Sequence, residues 1–339
     1  MSLIWNNKIS VSYFGETHDS IIGVTLDGIP AGEYIDADEI CGFIKRMNPK
    51  SMGNNGITPT PRIISGLRGE RTTGAPICAV FQNSVSHKED EDIPANTRIG
   101  HGDYTGAVRY RGFCDVQKDA HTPEQFTEPV CFAGSVCAQI LERRGIYTGA
   151  HILSIHNIKD NPYDMAHISR DSVRSVRSKD FPVINDRIGW DMLEDISLAS
   201  EYGETLGGIV ECATVNIPCG AGSPLFHGIQ NTIAQLIFAV PYVTGLEFGA
   251  GFESADMTGS QYSDNFYTDE RGYSVTRTNN HGGITGGIST GMPVVIRVAV
   301  APPPKNSGEV CIVPKTAVCI ESAVNTAVLS CMIDYPNFC

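Results

Sequence analysis

The chain has 339 residues, 41% of them apolar and 19% charged, with a net charge of −13. That balance suits a globular core, and the negative charge excludes broad binding to nucleic acid or to anionic membranes. No apolar run approaches the roughly 18 residues needed to cross a bilayer and no apolar leader opens the chain, so it reads as soluble and cytoplasmic.

Eleven cysteines occur without a C-x-x-C pair, and Cys78, Cys137, Cys212 and Cys319 sit in apolar segments. They predict buried thiols in a reducing compartment rather than disulfides or a metal site. Alternation predicts strands over 9–14 and 21–26, followed by turn chemistry at Asp27-Gly28-Ile29-Pro30-Ala31-Gly32. Asp36 is placed to cap a helix, with Glu39 three residues on as in a capping box. Ile40, Phe43, Ile44 and Met47 then recur at helical spacing. Asn, Gly, Thr and Pro dominate 48–61, which predicts a loop, and 84–98 is a polar, acidic stretch. Residues 130–144 predict an apolar helix ending at Gly145, and 157–200 read as peripheral apart from a helix over 190–200. Beyond them come a strand at 207–217, a helix at 225–240, a strand or turn at 243–249, a strand at 294–300 and a helix at 315–332.

The stretch Asn279-Asn280-His281-Gly282-Gly283-Ile284-Thr285-Gly286-Gly287-Ile288-Ser289-Thr290-Gly291-Met292-Pro293 stands out for its glycines, which admit positive φ and close approach of a ligand or another backbone. A degenerate copy lies 217 residues earlier: Gly66 aligns with Gly283, Gly69 with Gly286, and Thr73-Gly74-x-Pro76 with Thr290-Gly291-x-Pro293. Gly15-Glu16-Thr17 and Ile29-Pro30-x-Gly32 recur at a shift of 188 as Gly203-Glu204-Thr205 and Ile217-Pro218-x-Gly220. These matches predict one domain of two pseudo-repeated halves, about 1–145 and 200–335, with an insertion at about 146–200. The expected fold is α+β, a sandwich with central helices between two mainly antiparallel sheets.

Two histidines sit where proton transfer could be arranged. His18 follows a predicted strand beside Glu16 and Asp19, and His101 lies between Gly100 and Gly102. Each could equally be a histidine in a surface turn. Arginines near the glycine copies could recognise phosphate or carboxylate, or be solvated surface charge. No Walker loop, nucleophile elbow or dinucleotide fingerprint is present.

Several motifs occur in collinear order from about residue 10 to about 333: Phe14-Gly15-Glu16-Thr17-His18, the turn at 27–32, Leu67-x-Gly69-x-x-Thr72-Thr73-Gly74-x-Pro76, Gly100-His101-x-Asp103-Tyr104-Thr105, Gly249-x-Gly251-Phe252 with Gly259-Ser260, and Gly282-Gly283-Ile284-x-Gly286-Gly287-Ile288-Ser289. Together they resemble the chorismate synthase family. The resemblance implies a two-sheet sandwich around a helical core, assembled as a homotetramer. It implies a lyase that eliminates phosphate from 5-enolpyruvylshikimate 3-phosphate, a phosphorylated cyclic acid, in anti-1,4 fashion to give chorismate. The family reaction requires reduced FMN without net redox change.

Carried over by position, His18 and His101 match the family's proton donors. Pro241, Tyr242, Gly286 and Gly287 match flavin-lining positions, and Arg46 matches part of a substrate-binding arginine run. The family's arginine- and serine-rich stretch before the long helix is replaced here by Val116-Gln117-Lys118-Asp119-Ala120-His121-Thr122. Only Arg46 of the arginine run remains, and the Lys-Pro-Thr-Ser-Ser stretch reads Ala301-Pro302-Pro303-Pro304-Lys305. Lys305, Lys118 and His121 are the cations left to replace the lost donors, with Lys305 assigned to the cofactor. The alternatives are a divergent homologue acting on another small anion without FMN, and a non-catalytic oligomeric binding protein.

Overall fold

The computed structural model describes residues 3–16, 20–53, 59–82, 102–111, 126–270, 272–305, 307–336 and 338. In chain order the elements begin with β1 (Ile4–Asn6), β2 (Ser10–Phe14), β3 (Ile21–Asp27), α1 (Ala37–Lys45), β4 (Arg62–Ser65), β5 (Leu67–Arg68), β6 (Arg71–Thr72) and β7 (Ile77–Gln82). Then come α2 (Asp103–Arg109), α3 (Thr127–Arg143), β8 (Tyr147–Ile155), β9 (Ile158–Lys159), α4 (Arg170–Arg177), α5 (Asp186–Glu201), β10 (Gly208–Val215) and α6 (Ile229–Ile237). The remainder is β11 (Val243–Phe248), α7 (Gly259–Tyr262), β12 (Phe266–Thr268), β13 (Ser274–Thr276), β14 (Ile284–Thr285), β15 (Ile288–Ser289), β16 (Val294–Val300) and α8 (Val313–Met332).

Two five-stranded sheets form, in the orders β1-β2-β3-β7-β4 and β11-β16-β10-β8-β9. Every neighbouring pair in them is antiparallel. Between the sheets, α3 packs on β3 and β7 of the first while α8 packs on β8 and β10 of the second. The expected α+β sandwich with a central helix layer is therefore present. In β7 the alternation is clear: Ile77, Ala79 and Phe81 are buried against the helices, while Cys78 and Val80 are only half-buried on the other face. The helix α8 is buried on all sides, as an all-round apolar helix must be. Two of its hydroxyls bond within their own helix, Ser322 Oγ to Val318 O at 2.8 Å and Thr326 Oγ1 to Ser322 O at 2.9 Å, and Ser330 Oγ accepts from Ile9 N at 3.3 Å. Where α3 crosses α8, Gly134 faces Ser322 so closely that a Cβ on it would overlap the Ser322 backbone.

The two sheets repeat one another in register. A shift of 188 carries Thr25 onto Ala213 and a shift of 217 carries Cys78 onto Val295; Thr25 pairs with Cys78 as Ala213 pairs with Val295. The hairpin β5–β6 falls at a shift of 217 on the hairpin β14–β15. Both are fastened in the same way. Thr72 Oγ1 donates to Pro30 O at 2.6 Å and accepts from Glu33 N at 2.9 Å, while Ser289 Oγ donates to Pro218 O at 2.6 Å and accepts from Ala221 N at 2.8 Å. The α3–α8 contact obeys the same shift, with Cys131 Sγ 3.9 Å from Cys319 Sγ.

Several expectations are corrected. Residues 146–200 are not all insertion, because β8 is an inner strand of the second sheet, paired with β10 along its length. The extra chain lies between β8 and β10. Part of it covers the outer face of that sheet, where Tyr163, Val173 and Val176 are buried against Tyr147, Ala213, Val215 and Val295. The helix read over 225–240 is shorter: a 3-10 turn at Leu225–His227 and a break at Gly228 precede α6. Asp36 caps α1 by accepting from Asp38 N and Glu39 N, but its own N–H goes to Gln139 Oε1 at 2.8 Å rather than to Glu39.

Candidate functional site

The glycine-rich stretch is fixed from three directions. Asn279 is buried; its Nδ2 donates to Met165 O at 2.9 Å and Pro293 O at 2.8 Å, and its Oδ1 accepts from Gly283 N at 2.7 Å. Behind it, Gly249 lies so close that a Cβ on Gly282 would come within 2.5 Å of Gly249 N. Asp264 accepts from Thr278 Oγ1 at 2.7 Å and from the backbone N–H groups of Asn280 and His281 at 2.9 Å. The His281 ring adds Nδ1 at 2.7 Å from Asp264 Oδ2 and packs against Tyr262 with centroids 4.4 Å apart. Burial pushes the Asp264 carboxyl up, but the His281, Thr278 and Asn280 donors outweigh it and hold the group below the usual carboxylate range. Asp264 is therefore an anion at neutral pH, so His281 Nδ1 carries the hydrogen.

Beyond this anchor the hairpin turns on Gly286 and Gly287, with φ of 62° and 87°. Two consecutive positive φ values are what a two-residue hairpin turn of this hand requires and what glycine supplies without strain. Gly287 could carry no side chain, since its Cβ would lie 2.5 Å from Ser223 O, whereas the space in front of Gly286 is open. Gly287 O accepts from Ile229 N at 2.9 Å, which seats the hairpin on the start of α6.

Pro241 and Tyr242 lie past the other end of α6. Tyr242 has a φ of 63°, and its carbonyl accepts from Ala301 N at 2.8 Å. That bond leads into 301–305, where Lys305 Nζ meets Glu204 Oε1 at 2.6 Å on the surface. The structure thus brings Tyr242 and the Lys305 segment to one end of α6 and Gly286–Gly287 to the other, with a helix of nine residues, about 13 Å, between. Such a gap suits two ends of one elongated ligand better than two contacts on one ring.

Arg46 stands apart from both, against the central helices. Its Nη1 and Nη2 are 3.0 and 2.7 Å from the two oxygens of Glu321 on α8, a bidentate pair, and Arg177 Nε reaches the same carboxylate at 3.0 Å. Burial pushes the Glu321 carboxyl up, and Arg46 and Arg177 more than reverse it, so it titrates below its ordinary value. Arg177 also pairs with Glu142, and both guanidiniums lie over the Phe43 ring at 5.0 and 5.2 Å. These groups border a cavity of about 310 Å³ that also meets Gln139, Arg174 and Ser178. A larger cavity, about 420 Å³, lies beside the first hairpin; its Asp36, Asp38 and Glu70 give it the wrong sign for a phosphorylated acid.

His18 and His101 lie outside the described residues, as do Lys118 and His121. The strand β2 ends at Phe14, four residues before His18, and α2 starts two residues after His101. Three features were missed in the sequence. Arg177 arrives from chain read as peripheral. Asp264 is seventeen residues from His281 with no motif to join them. The third is a row across the second sheet, buried at His151 and Glu211 and half-buried at Arg297 and Glu247, whose members face one another in register. His151 Nε2 is 3.0 Å from Glu211 Oε2, and Arg297 Nη1 is 3.1 Å from Glu247 Oε1.

A doubled α+β sandwich with a glycine hairpin seated on a helix start defines the architecture. The family model described as chorismate synthase matches residues 9–310. A chorismate synthase of Thermococcus kodakarensis is 33% identical over 341 residues, 93% of each chain, and one of Pyrococcus abyssi is 35% identical over 300 residues, 87% of this chain and 82% of the relative. A solved structure titled Crystal Structure of Chorismate Synthase superposes with a TM-score of 0.80 at 25% identity, covering 96% of this chain and 91% of that one. The chain belongs to the chorismate synthase family.

Proposed function

We propose that this chain catalyses the anti-1,4 elimination of phosphate from 5-enolpyruvylshikimate 3-phosphate to give chorismate. The observation that carries the reading is the seated Gly286–Gly287 hairpin, open in front of Gly286, within a fold shared with chorismate synthases over nearly its whole length. Reduced FMN, when bound, supplies the transient electron that the elimination needs, without net redox change. The residues present suit it: Gly286 leaves room for a flat group, Tyr242 and Pro241 wall the far end of α6, and Lys305 offers an ammonium to a phosphate at that end. His18 and His101 hold the protons given to the reacting groups. Arg46 orients an anionic group of the substrate at the mouth of its cavity.

The protein works as a homotetramer in the cytoplasm. Supporting this, large apolar side chains such as Ile4, Ile64, Phe226 and Phe252 are exposed on the single chain, and no described helix is long and apolar enough to cross a membrane. One observation favours a second reading, a homologue that acts on a different small anion: both terminal nitrogens of Arg46 are already spent on Glu321, and Lys305 on Glu204. Calorimetric titration with FMN and with 5-enolpyruvylshikimate 3-phosphate, followed by anaerobic turnover, separates the two. Saturable FMN binding with chorismate and phosphate released in equal amounts is expected. Absence of both binding and turnover overturns the first reading in favour of the second.

A further inference from the structure

His281 is the one imidazole on the glycine-rich stretch, and the wiring around it exceeds what a loop staple requires. Three other described histidines face aspartates. His156 and His167 are more than half exposed with their pairs open to water. His151, 3.9 Å from Asp160 and 3.0 Å from Glu211, is fully buried with no access to solvent. His281 differs. Its side chain is 27% exposed while that of Asp264 is only 7% exposed, so the carboxylate is shielded while the imidazole keeps partial access to solvent. Asp264 receives four donors, three of them from residues 278–281 by backbone or hydroxyl, and these would hold the loop without any ring. The fourth, Nδ1, sets the tautomer: with that nitrogen locked as a donor, Nε2 is left as the basic atom.

The position is equally specific. Gly283, two residues on, bonds to Thr290 at the base of the hairpin that ends in Gly286–Gly287. Behind Gly249, Arg297 and Glu247 complete the charged surroundings: Arg297 Nη2 donates to Gly249 O at 3.1 Å, and Glu247 accepts from Phe252 N at 3.1 Å. From the elements packed against the imidazole, the titratable groups facing it are Asp264 and Tyr262, with the Arg297–Glu247 pair one layer further back. In the first half the position matching His281 is Ile64, exposed on a strand and incapable of proton chemistry. The shared scaffold therefore does not call for a histidine here.

We propose that His281 is a proton-relay group for the reaction, exchanging through Nε2, with Asp264 as its positioning residue. The proposal rests on the reading that the Gly286–Gly287 hairpin borders the reaction site. The elimination breaks one ring C–H bond and one C–O bond to phosphate; the C–H electron pair becomes a new ring π bond, the existing ring π pair shifts one bond towards the C–O carbon, and the C–O pair leaves with phosphate. One proton per turnover must leave the site. His281 Nε2 takes that proton, the Asp264 carboxylate stabilises the imidazolium, and water receives the proton, so the pair ends each cycle as it began.

Two measurements test it. In ¹⁵N NMR of the ligand-free protein, the neutral His281 ring should carry its hydrogen on Nδ1, and Asp264→Asn should mix the tautomers. In turnover, His281→Ala should lower kcat by about 10²-fold, remove one limb of the pH profile and respond to added imidazole. His281→Gln, which keeps a donor near Asp264, should fold like wild type and still lack that limb. A bare Nδ1 overturns the proposal whatever the activity. So does a variant whose pH profile keeps the wild-type shape, even if its rate is lower. Wild-type protein that makes no chorismate overturns the functional reading instead, and the relay with it; active wild type beside an unaffected His281→Ala removes only the relay.

Discussion

Glu321 illustrates how single residues are balanced here. Its side chain is fully buried, and the paired guanidiniums of Arg46 and Arg177, with the Ala150 backbone N–H, keep it charged. A carboxyl held below its unfolded value contributes stability that is complete above the unfolded value and is lost as pH falls through the folded one. Wild-type protein should therefore lose stability as pH drops below about 4, and Glu321→Gln should flatten that acid limb. The cost at neutral pH should be large, about 3–5 kcal/mol, because Arg46 loses its anion and Arg177 is left with Glu142. Chemical denaturation across pH checks both; an acid limb of unchanged steepness would show that Glu321 does not carry the dependence. At this scale the sequence was only partly legible. Glycines were readable because positive φ selects them, as at Gly286 and Gly287. The pairing of Arg46 with Glu321 was not, since 275 residues separate them and neither sits in a pattern that names a partner.

The elements were legible where burial is one-sided or complete. Alternation identified β2 and β3, and an unbroken apolar period identified α3 and α8. The strand β8 escaped because it is covered on both faces and carries Gly149, Ala150 and His151 in place of an alternating pattern. Its outer face is dry only because chain from the 156–207 connection lies on it, a fact that no local window contains. The two hairpins give a direct comparison. Thr72→Val and Ser289→Ala each leave a proline carbonyl and a backbone N–H without their shared hydroxyl. Each should cost about 1–3 kcal/mol, read as a shift in thermal midpoint, and the two costs should agree within error. Only Ser289→Ala should also weaken ligand binding at Gly286. Unequal stability losses would mean that the two fastenings are alike in geometry but not in load.

At the scale of the whole molecule, the closest approach in the helical layer is Gly134 on Ser322. Gly134→Val would force α3 and α8 apart, and through them the two sheets. A destabilisation of ~3 kcal/mol is expected from overpacking at such a contact, seen in urea unfolding as a lower midpoint with a similar slope. An unchanged midpoint would mean that the helix pair adjusts without moving the sheets. The doubling itself was legible from glycines and turn prolines alone, because a repeated backbone shape demands repeated glycine. The extent of the second unit was not, because β8 has no counterpart in any of the matched motifs.

The late position of α8 has a consequence for how the protein is made. Residues 313–332 fill the space that both sheets face, and they are made after every strand of both sheets. Until they emerge, α3 lacks its partner helix and the apolar faces of β8 and β10 lack the helix that covers them. Until then the nascent chain carries an unfinished second sheet, a natural client for a holding chaperone. Cooperative folding must wait for contacts between residues about 190 positions apart, so assembly is expected to be slow and to follow the synthesis of α8.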